Sequence, residues 1–375
     1  MIQRLVVQRI NRTLASGKSV LLLGPRQVGK TTVLLYLQEM YPGSMYLDCD
    51  EPDVRSLLTD ATSSKLRSLL GSQKVVIIDE AQRVKNIGLT LKLIIDKLKD
   101  IQVIVSGSSA LELSADINEP LTGRKIEMVM SGLSYHEMYE YHGVLEEKRQ
   151  LETRLRYGMY PEVITHSERS EILLRELTTG YLYKDVFNYQ DVRKPELLHN
   201  LTEALARQVG SEVSYNELAQ LLASDPATIG RYIDLLEKSM VVFRLRSFSR
   251  NLRNELKKSR KIYFYDNGIR NAIIGDFRPM NLRSDSGMLW ENYMVSERVK
   301  MNANLGLFCN QYFWRTRQQQ EIDYIEDSDG SLKAYEFKYS KSKPSNFSKT
   351  FTDEYHPTVT TTINTENYHD FLTVS

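Results

Sequence analysis

The stretch Gly24-Pro25-Arg26-Gln27-Val28-Gly29-Lys30-Thr31-Thr32 has the residue types and spacing to hold a nucleoside triphosphate. Gly24 and Gly29 let the backbone curl so that successive N–H groups turn toward phosphate oxygens. Lys30 can reach the β- and γ-phosphates, and the Thr31 hydroxyl can ligate Mg2+. The pattern G-x-x-x-x-G-K-[ST] is complete, so Gly24 to Thr32 are assigned to a nucleotide site with ATP and Mg2+ as its ligands. A second set of candidates is Asp79 and Glu80, which follow the run Val75-Val76-Ile77-Ile78. Asp79 would hold Mg2+ through water, and Glu80 would polarise the attacking water. Ser106 follows another apolar run, Ile101–Val105, and is the first choice for a side chain sensing the γ-phosphate, with Ser108 the second. Arg124, in Leu121-Thr122-Gly123-Arg124, is a candidate arginine finger, acting in cis or across a subunit interface.

Two further groups lie toward the carboxyl end. Glu321-Ile322-Asp323 and Glu336-Phe337-Lys338 are both strand-like, so alternation puts Glu321 with Asp323 and Glu336 with Lys338 on shared faces. Adjacent strands could then present carboxylates and an ammonium to one pocket, a donor set suited to a hard cation. Metal-bound water could attack a phosphodiester there, with Lys338 stabilising the developing charge. The other group is basic. Between Arg244 and Lys261 stand eight cations, Arg244, Arg246, Arg250, Arg253, Lys257, Lys258, Arg260 and Lys261, opposed only by Glu255. With Arg231, this excess suits contacts to nucleic-acid phosphates.

The elements that must carry these residues can be read from periodicity. Ile2–Leu14 is expected as a helix, Ser19–Leu23 as the strand before the glycine loop, and Val33–Met40 within the helix after it. Met45–Cys49 reads as a strand, Leu57–Leu70 as one helix and Ile87–Leu98 as another. The run before Asp79 is a buried, parallel-type strand that delivers its acids at the carboxyl edge, where open α/β sheets bind ligands. Ile172–Phe187 reads as one long amphipathic helix. Leu197–Val209, Glu217–Ala223 and Ala227–Lys238, then the alternating Val241–Phe248, follow winged-helix order. Ser214 and Glu217 read as a capping box, and Pro226 is expected to open the last helix. A helix from Gly287 to about Lys300 carries Glu291.

Composition limits the classes. The chain has 375 residues, 41% of them hydrophobic, and suggests two or three domains. A net charge of +1 excludes a generic polyanion binder, so any nucleic-acid contact must be local. Two cysteines, Cys49 and Cys309, give no zinc-type spacing and fit a reducing compartment. No secretory leader is visible and no apolar run approaches the ~20 residues of a membrane span. The expectation is a cytoplasmic protein without membrane contact.

The strings Gly-Pro-Arg-Gln-Val-Gly-Lys-Thr, Val-Val-Ile-Ile-Asp-Glu-Ala-Gln, Val-Ser-Gly-Ser-Ser, Leu-Thr-Gly-Arg and Ser-Tyr-His-Glu-Met together resemble the AAA+-type ATPase domain called AAA_14, found beside DUF4143. The stretch Lys-Lys-Ser-Arg-Lys-Ile-Tyr-Phe-Tyr-Asp-Asn-Gly, and the order Glu291, Trp314-Arg315, Glu321-Ile322-Asp323, Glu336-x-Lys338, resemble DUF4143. The last pattern is also similar to the PD-(D/E)-x-K nucleases. That resemblance implies a metal site at Asp323, Glu336 and Glu291, although the usual Pro-Asp is replaced by Glu321-Ile322-Asp323.

The resulting expectation is an α/β chain: a P-loop AAA+-like ATPase domain over 1–140, a helical connector over 141–195, a winged helix over 196–265 and a restriction-endonuclease-like domain over 266–375. It would be an ATPase that couples nucleotide state to DNA binding and DNA cleavage, with a homo-oligomer implied if Arg124 acts in trans. The alternative is an ATP-dependent switch that binds a protein partner through a catalytically inactive nuclease-like domain.

Overall fold

The computed structural model describes residues 2–107, 121, 123–180, 192–249, 260–340 and 347–373. They fall into two units. One comprises Met1–Gly132 with 238–240 and 303–306; the other comprises the remainder.

Five strands build the first unit: β1 (Ser19–Leu23), β2 (Met45–Asp48), β3 (Val75–Asp79), β4 (Gln102–Gly107) and β5 (Lys125–Val129). All pair in parallel, in the order β2-β3-β4-β1-β5. β1 and β3 are buried at every position, as strands covered on both faces must be. β4 lies between β1 and β3, so three carboxyl ends meet: the glycine loop, Asp79 and Ser106. The helix Lys30–Met40 follows the loop directly. Its cap residue, Gly29, has φ +91°, a left-handed conformation that glycine adopts without strain. Gly24 is required for a different reason. A Cβ there would lie 2.1 Å from the carbonyl oxygen of Met130, because the chain leaving β5 passes directly against the loop.

The second unit holds a seven-stranded sheet made of β6 (Glu212–Val213), β7 (Val242–Ser247), β8 (Arg260–Phe264), β9 (Asn310–Arg315), β10 (Glu321–Ser328), β11 (Ser331–Phe337) and β12 (Val359–Ile363). The order is β12-β11-β10-β9-β7-β8-β6. β7 and β8 form an antiparallel pair that follows the helices Pro195–Arg207, Tyr215–Leu221 and Pro226–Lys238. β7 also pairs in parallel with β9, so the hairpin and the carboxyl-terminal strands share one sheet. Phe248, Trp314, Ile322, Ile325, Leu332, Ala334, Phe351 and Tyr355 form one apolar cluster of this unit.

The Tyr-Asp-Asn-Gly segment has a structural task. Asp266 is buried and caps the helix Asn267–Ile274 by accepting from the Ile269 N–H at 3.1 Å, while its other oxygen accepts from the Met159 N–H at 2.7 Å. Asn267 donates to the Leu155 and Leu289 carbonyls. A Cβ on Gly268 would fall 2.2 Å from the Tyr157 carbonyl oxygen. Each residue type is fixed by a close approach or a buried backbone group that needs a partner.

Several elements differ from the sequence reading. The single helix expected over Leu57–Leu70 is two, Pro52–Leu58 and Ser63–Leu70. Asp60 takes φ +47°, and the Thr62 side chain starts a new helix by accepting from the Lys65 N–H. Polar side chains that bond nearby backbone compete with helix continuation. The helix expected over 172–187 runs Ser170–Leu177, with 181–187 outside the described residues. The helix carrying Glu291 is longer than expected, Ser286–Leu305.

Both tryptophans, Trp290 and Trp314, belong to the second unit. Gly24→Ala should therefore destabilise the first unit by about 1–3 kcal/mol, the usual cost of overpacking. The far-UV circular dichroism transition in urea should acquire an earlier phase, while the tryptophan fluorescence midpoint stays put. An unchanged dichroism curve would contradict the close approach to Met130.

Candidate functional site

In the first unit the loop, β3 and β4 converge on the Asp79 carboxylate, which is buried. The Thr31 hydroxyl donates to Asp79 Oδ2 at 2.8 Å and the Tyr46 hydroxyl donates to the same oxygen at 2.7 Å. Ser106 Oγ donates to Oδ1, and the Glu80 N–H donates to Oδ1 at 3.0 Å. Burial, and then the Asp79 hydrogen bond, raise the Tyr46 pKa, so its hydroxyl stays a proton donor. Lys30 is buried, and its ammonium donates to the Gly24 and Pro25 carbonyls at 2.9 Å each. That contact folds the side chain back across the loop. Glu80 sits in the left-handed region at φ +50°, and its side chain accepts from Gln82 Nε2 at 2.5 Å. A non-glycine residue in this region often marks a working site. Thr31 and Asp79 offer adjacent hydroxyl and carboxylate oxygens, the donor chemistry that Mg2+ takes. These residues fit the ion, with Thr31 and Asp79 as its protein partners.

Pro25, Arg26, Gln27, Val28 and Thr32 complete the loop and the first turn of its helix, with Gln27 at φ +60°. Arg4 was not singled out from the sequence, yet it props this loop. Its buried guanidinium donates to the Val28 and Ser131 carbonyls at 2.7 Å each. Arg124 is not brought to the loop. It precedes β5, and the register Ser19↔Lys125 places it at the sheet edge opposite the carboxyl ends. There it pairs with Asp96 at 2.6 Å, which lowers the Asp96 pKa. A cis finger is thus corrected by topology: the length of β1 separates Arg124 from the phosphate loop. Ser108 lies outside the described residues.

In the second unit the expected metal set is not assembled. Among the described residues, no group of three His, Cys, Asp or Glu side chains is placed to hold a metal ion. Glu291 instead accepts from Lys261 Nζ at 2.9 Å and from the Tyr263 hydroxyl at 2.7 Å, both at Oε1. Lys261 Nζ also lies 2.5 Å from Glu321 Oε1. Burial pulls the Lys261 pKa down, but Glu291, Asp323 and Glu321 outweigh it and leave it raised, so it remains an ammonium. Asp323 Oδ2 accepts from the Phe337 N–H at 2.8 Å. Glu336 has its ammonium neighbour Lys338 3.9 Å away, with the Lys338 side chain 44% exposed. Of the residues read as a metal site, Glu291 and Asp323 therefore lie around Lys261, while Glu336 and Lys338 pair with each other. The buried cation is Lys261, which the sequence reading had counted with the basic run.

The basic residues also divide. Arg231 and Arg246 are exposed. Arg244 is not a free cation: it pairs with Asp234 at 2.6 Å, with Glu237, and with the Tyr215 hydroxyl at 3.2 Å. Burial lowers its pKa, but the Glu237 hydrogen bond and charge outweigh that and raise it. Arg250, Arg253, Lys257 and Lys258 lie outside the described residues.

Comparison with known proteins follows the two units. The family model of an AAA domain (AAA_14) matches residues 16–139, and that of a domain of unknown function (DUF4143) matches 286–370. The chain thus carries an AAA match toward its start and a DUF4143 match toward its end. A second domain of unknown function (DUF8612) matches residues 148–279, between the other two. An uncharacterized protein of Mycobacterium tuberculosis is 28% identical over 335 residues, covering 88% of this chain and 72% of the relative. One from Methanocaldococcus jannaschii is 22% identical over 348 residues, covering 86% and 75%. Among solved structures, a Pif1 helicase from Bacteroides with ADP-AlF3 and ssDNA aligns over 42% of this chain and 50% of its own, at 15% identity. Its TM-score of 0.26 is too low to bear on function. The AAA match and the phosphate-loop geometry make this a nucleotide-dependent ATPase architecture. Among the described residues, no helix is long and apolar enough to cross a membrane.

Tyr46, Tyr263 and Arg4 carried no sequence signal, because each acts through a contact distant in the chain. Lys261 did carry one: a lysine beside the apolar run Ile262-Tyr263-Phe264 is a cation inside a strand. Burial, and then the charge of Glu291, push the Asp323 carboxyl up to about 7, against the pull of Lys261. The folded state then holds this proton more tightly than the unfolded state, where an aspartate titrates near 3.9. Its contribution to stability falls as pH rises from about 4 to about 7 and is flat above that. Asp323→Asn should remove that slope. Unfolding free energies from urea titrations followed by tryptophan fluorescence at pH 5 and pH 7.5 should shift in favour of the variant by roughly 1–3 kcal/mol at the higher pH. A parallel pH dependence in both proteins would contradict this environment.

Proposed function

We propose that the chain is a Mg2+-dependent ATPase whose nucleotide state governs DNA binding by its second unit. The observation that carries the reading is the convergence of Thr31, Ser106 and Glu80 on Asp79 at the carboxyl edge, directly beside the glycine loop. The N–H groups at the start of the helix Lys30–Met40, where no side chain caps, would cradle the phosphates. Bound Mg2+ would neutralise charge on the β- and γ-phosphates. Lys30 would exchange its carbonyl partners for phosphate oxygens. Glu80 would orient the attacking water, and Ser106, already bonded to both Asp79 and the Glu80 N–H, would report the γ-phosphate to that acid. Arg124, at the opposite sheet edge, would serve as a finger only toward a neighbouring copy, which makes a homo-oligomer part of the proposal.

For DNA, we read 196–265 as a winged helix following a helical connector over 141–195. Among its exposed cations, Arg231 on Pro226–Lys238 and Arg246 on β7 are assigned to phosphate contacts, with Arg250, Arg253, Lys257 and Lys258 assigned from sequence alone. One observation favours the second reading, a switch acting on a protein partner: Arg244 is committed to internal pairs and adds little to a phosphate-binding surface.

Steady-state ATPase assays with Mg2+ test the first half. Lys30→Ala should abolish turnover, and Glu80→Gln should keep ATP binding while lowering kcat at least 100-fold. Wild-type turnover in Glu80→Gln would remove Glu80 from the mechanism. Adding duplex or single-stranded DNA should raise the rate. Arg231→Ala and Arg246→Ala should each lower the slope of log affinity against log salt by about 1. A rate indifferent to DNA, with no affinity at low salt, would select the protein-partner reading.

A further inference from the structure

The carboxylates of the second unit are already served by a cation of the chain itself. Lys261 is on β8, with a side chain 3% exposed. Its ammonium bonds Glu291 from the helix Ser286–Leu305 and Glu321 from the start of β10, joining three separate elements. It also lies 5.5 Å from the Phe313 ring centroid, which holds it over β9. A lysine ammonium is a compact point charge with three donors, so one such group can satisfy two carboxylates and bias a third. A divalent ion makes stronger demands. It needs several oxygens at roughly 2.0–2.6 Å from one point. Here Glu291 Oε1 already accepts from both Lys261 and Tyr263, and Asp323 Oδ2 already accepts from a backbone N–H. An entering ion would have to displace a buried ammonium and break both of its ion pairs.

We propose that Lys261 is the resident cation of this cluster and that the second unit holds Glu291, Glu321 and Asp323 without a divalent metal. The cluster is then an internal joint fastening the helix Ser286–Leu305 to β8 and β10, and metal-assisted phosphodiester cleavage does not occur there. This concerns the second unit alone and is independent of whether the phosphate loop hydrolyses ATP.

The test is a count of bound Mn2+ by electron paramagnetic resonance on the full chain without nucleotide. A Thr31→Ala background removes the phosphate-loop ligand. In that background the protein should bind no Mn2+ that is lost on Glu291→Gln or Asp323→Asn. Lys261→Met keeps the stem and removes the charge, and it should gain one Mn2+ per chain. Adding Asp323→Asn to Lys261→Met should abolish the gain. An ion already present with Lys261 intact, and lost on Glu291→Gln or Asp323→Asn, overturns the proposal. So does a folded Lys261→Met protein that gains none. Circular dichroism establishes folding, and if Lys261→Met does not fold, the count with Lys261 intact decides the matter by itself. ATPase turnover of the chain with Thr31 intact reads the nucleotide proposal separately.

Discussion

A buried carboxylate must be given donors, and the first unit is arranged around supplying them to Asp79. Leaving such a group unpaired would cost several kcal/mol, far more than any one of its hydrogen bonds contributes net. Four donors come from four places: Thr31 after the loop, Tyr46 from β2, Ser106 from β4 and the Glu80 backbone. This is possible only because β4 stands between β1 and β3 in a parallel sheet, so the strand ends are level. The close approach of Gly24 to Met130 and the prop from Arg4 hold the loop at the height that brings Thr31 within reach. Three of the donors are hydroxyls, which rotate cheaply. The same set can satisfy Asp79 alone or share it with an ion.

Much of this was legible in the sequence, because it depends on local pattern. The buried runs of β1 and β3, the glycine loop and the acids after β3 are contiguous strings, and strings report their own secondary structure. Strand order is not a local property. Arg124 looked close to the site in motif order, yet the parallel pairing of β5 with β1 puts it at the far edge. The break at Asp60 was missed for a similar reason: apolar spacing continued across it, while the capping hydroxyl of Thr62 decided the outcome.

The second unit shows how charge in a sequence can mislead. Arg244 and Lys261 add to a basic run when counted along the chain. Folding turns both inward, Arg244 toward Asp234 and Glu237, and Lys261 toward Glu291 and Glu321. Alternation along β8 sends Lys261 inward and Arg260 outward, whereas Arg244 shares its face of β7 with Arg246 and is taken up by pairing with Asp234 and Glu237 instead. The sequence reading grouped Glu291, Asp323 and Glu336, whereas the structure gathers Glu291, Glu321 and Asp323 around Lys261 and leaves Glu336 beside Lys338. Their counter-ion was not recognised, since Lys261 lies thirty residues before the first of them, Glu291.

The parallel pairing of β7 with β9 has a consequence for inheritance. The matched stretches end at 279 and begin again at 286, which looks like a place where genes could be joined or parted. Yet Arg246 faces Tyr312 and Ser247 faces Phe313 across that boundary, and the Phe248 N–H donates to the Phe313 carbonyl. Recombination there would leave β9 with an open edge, a template for pairing with the wrong chain. The two stretches can diverge in sequence, but they must travel through evolution together.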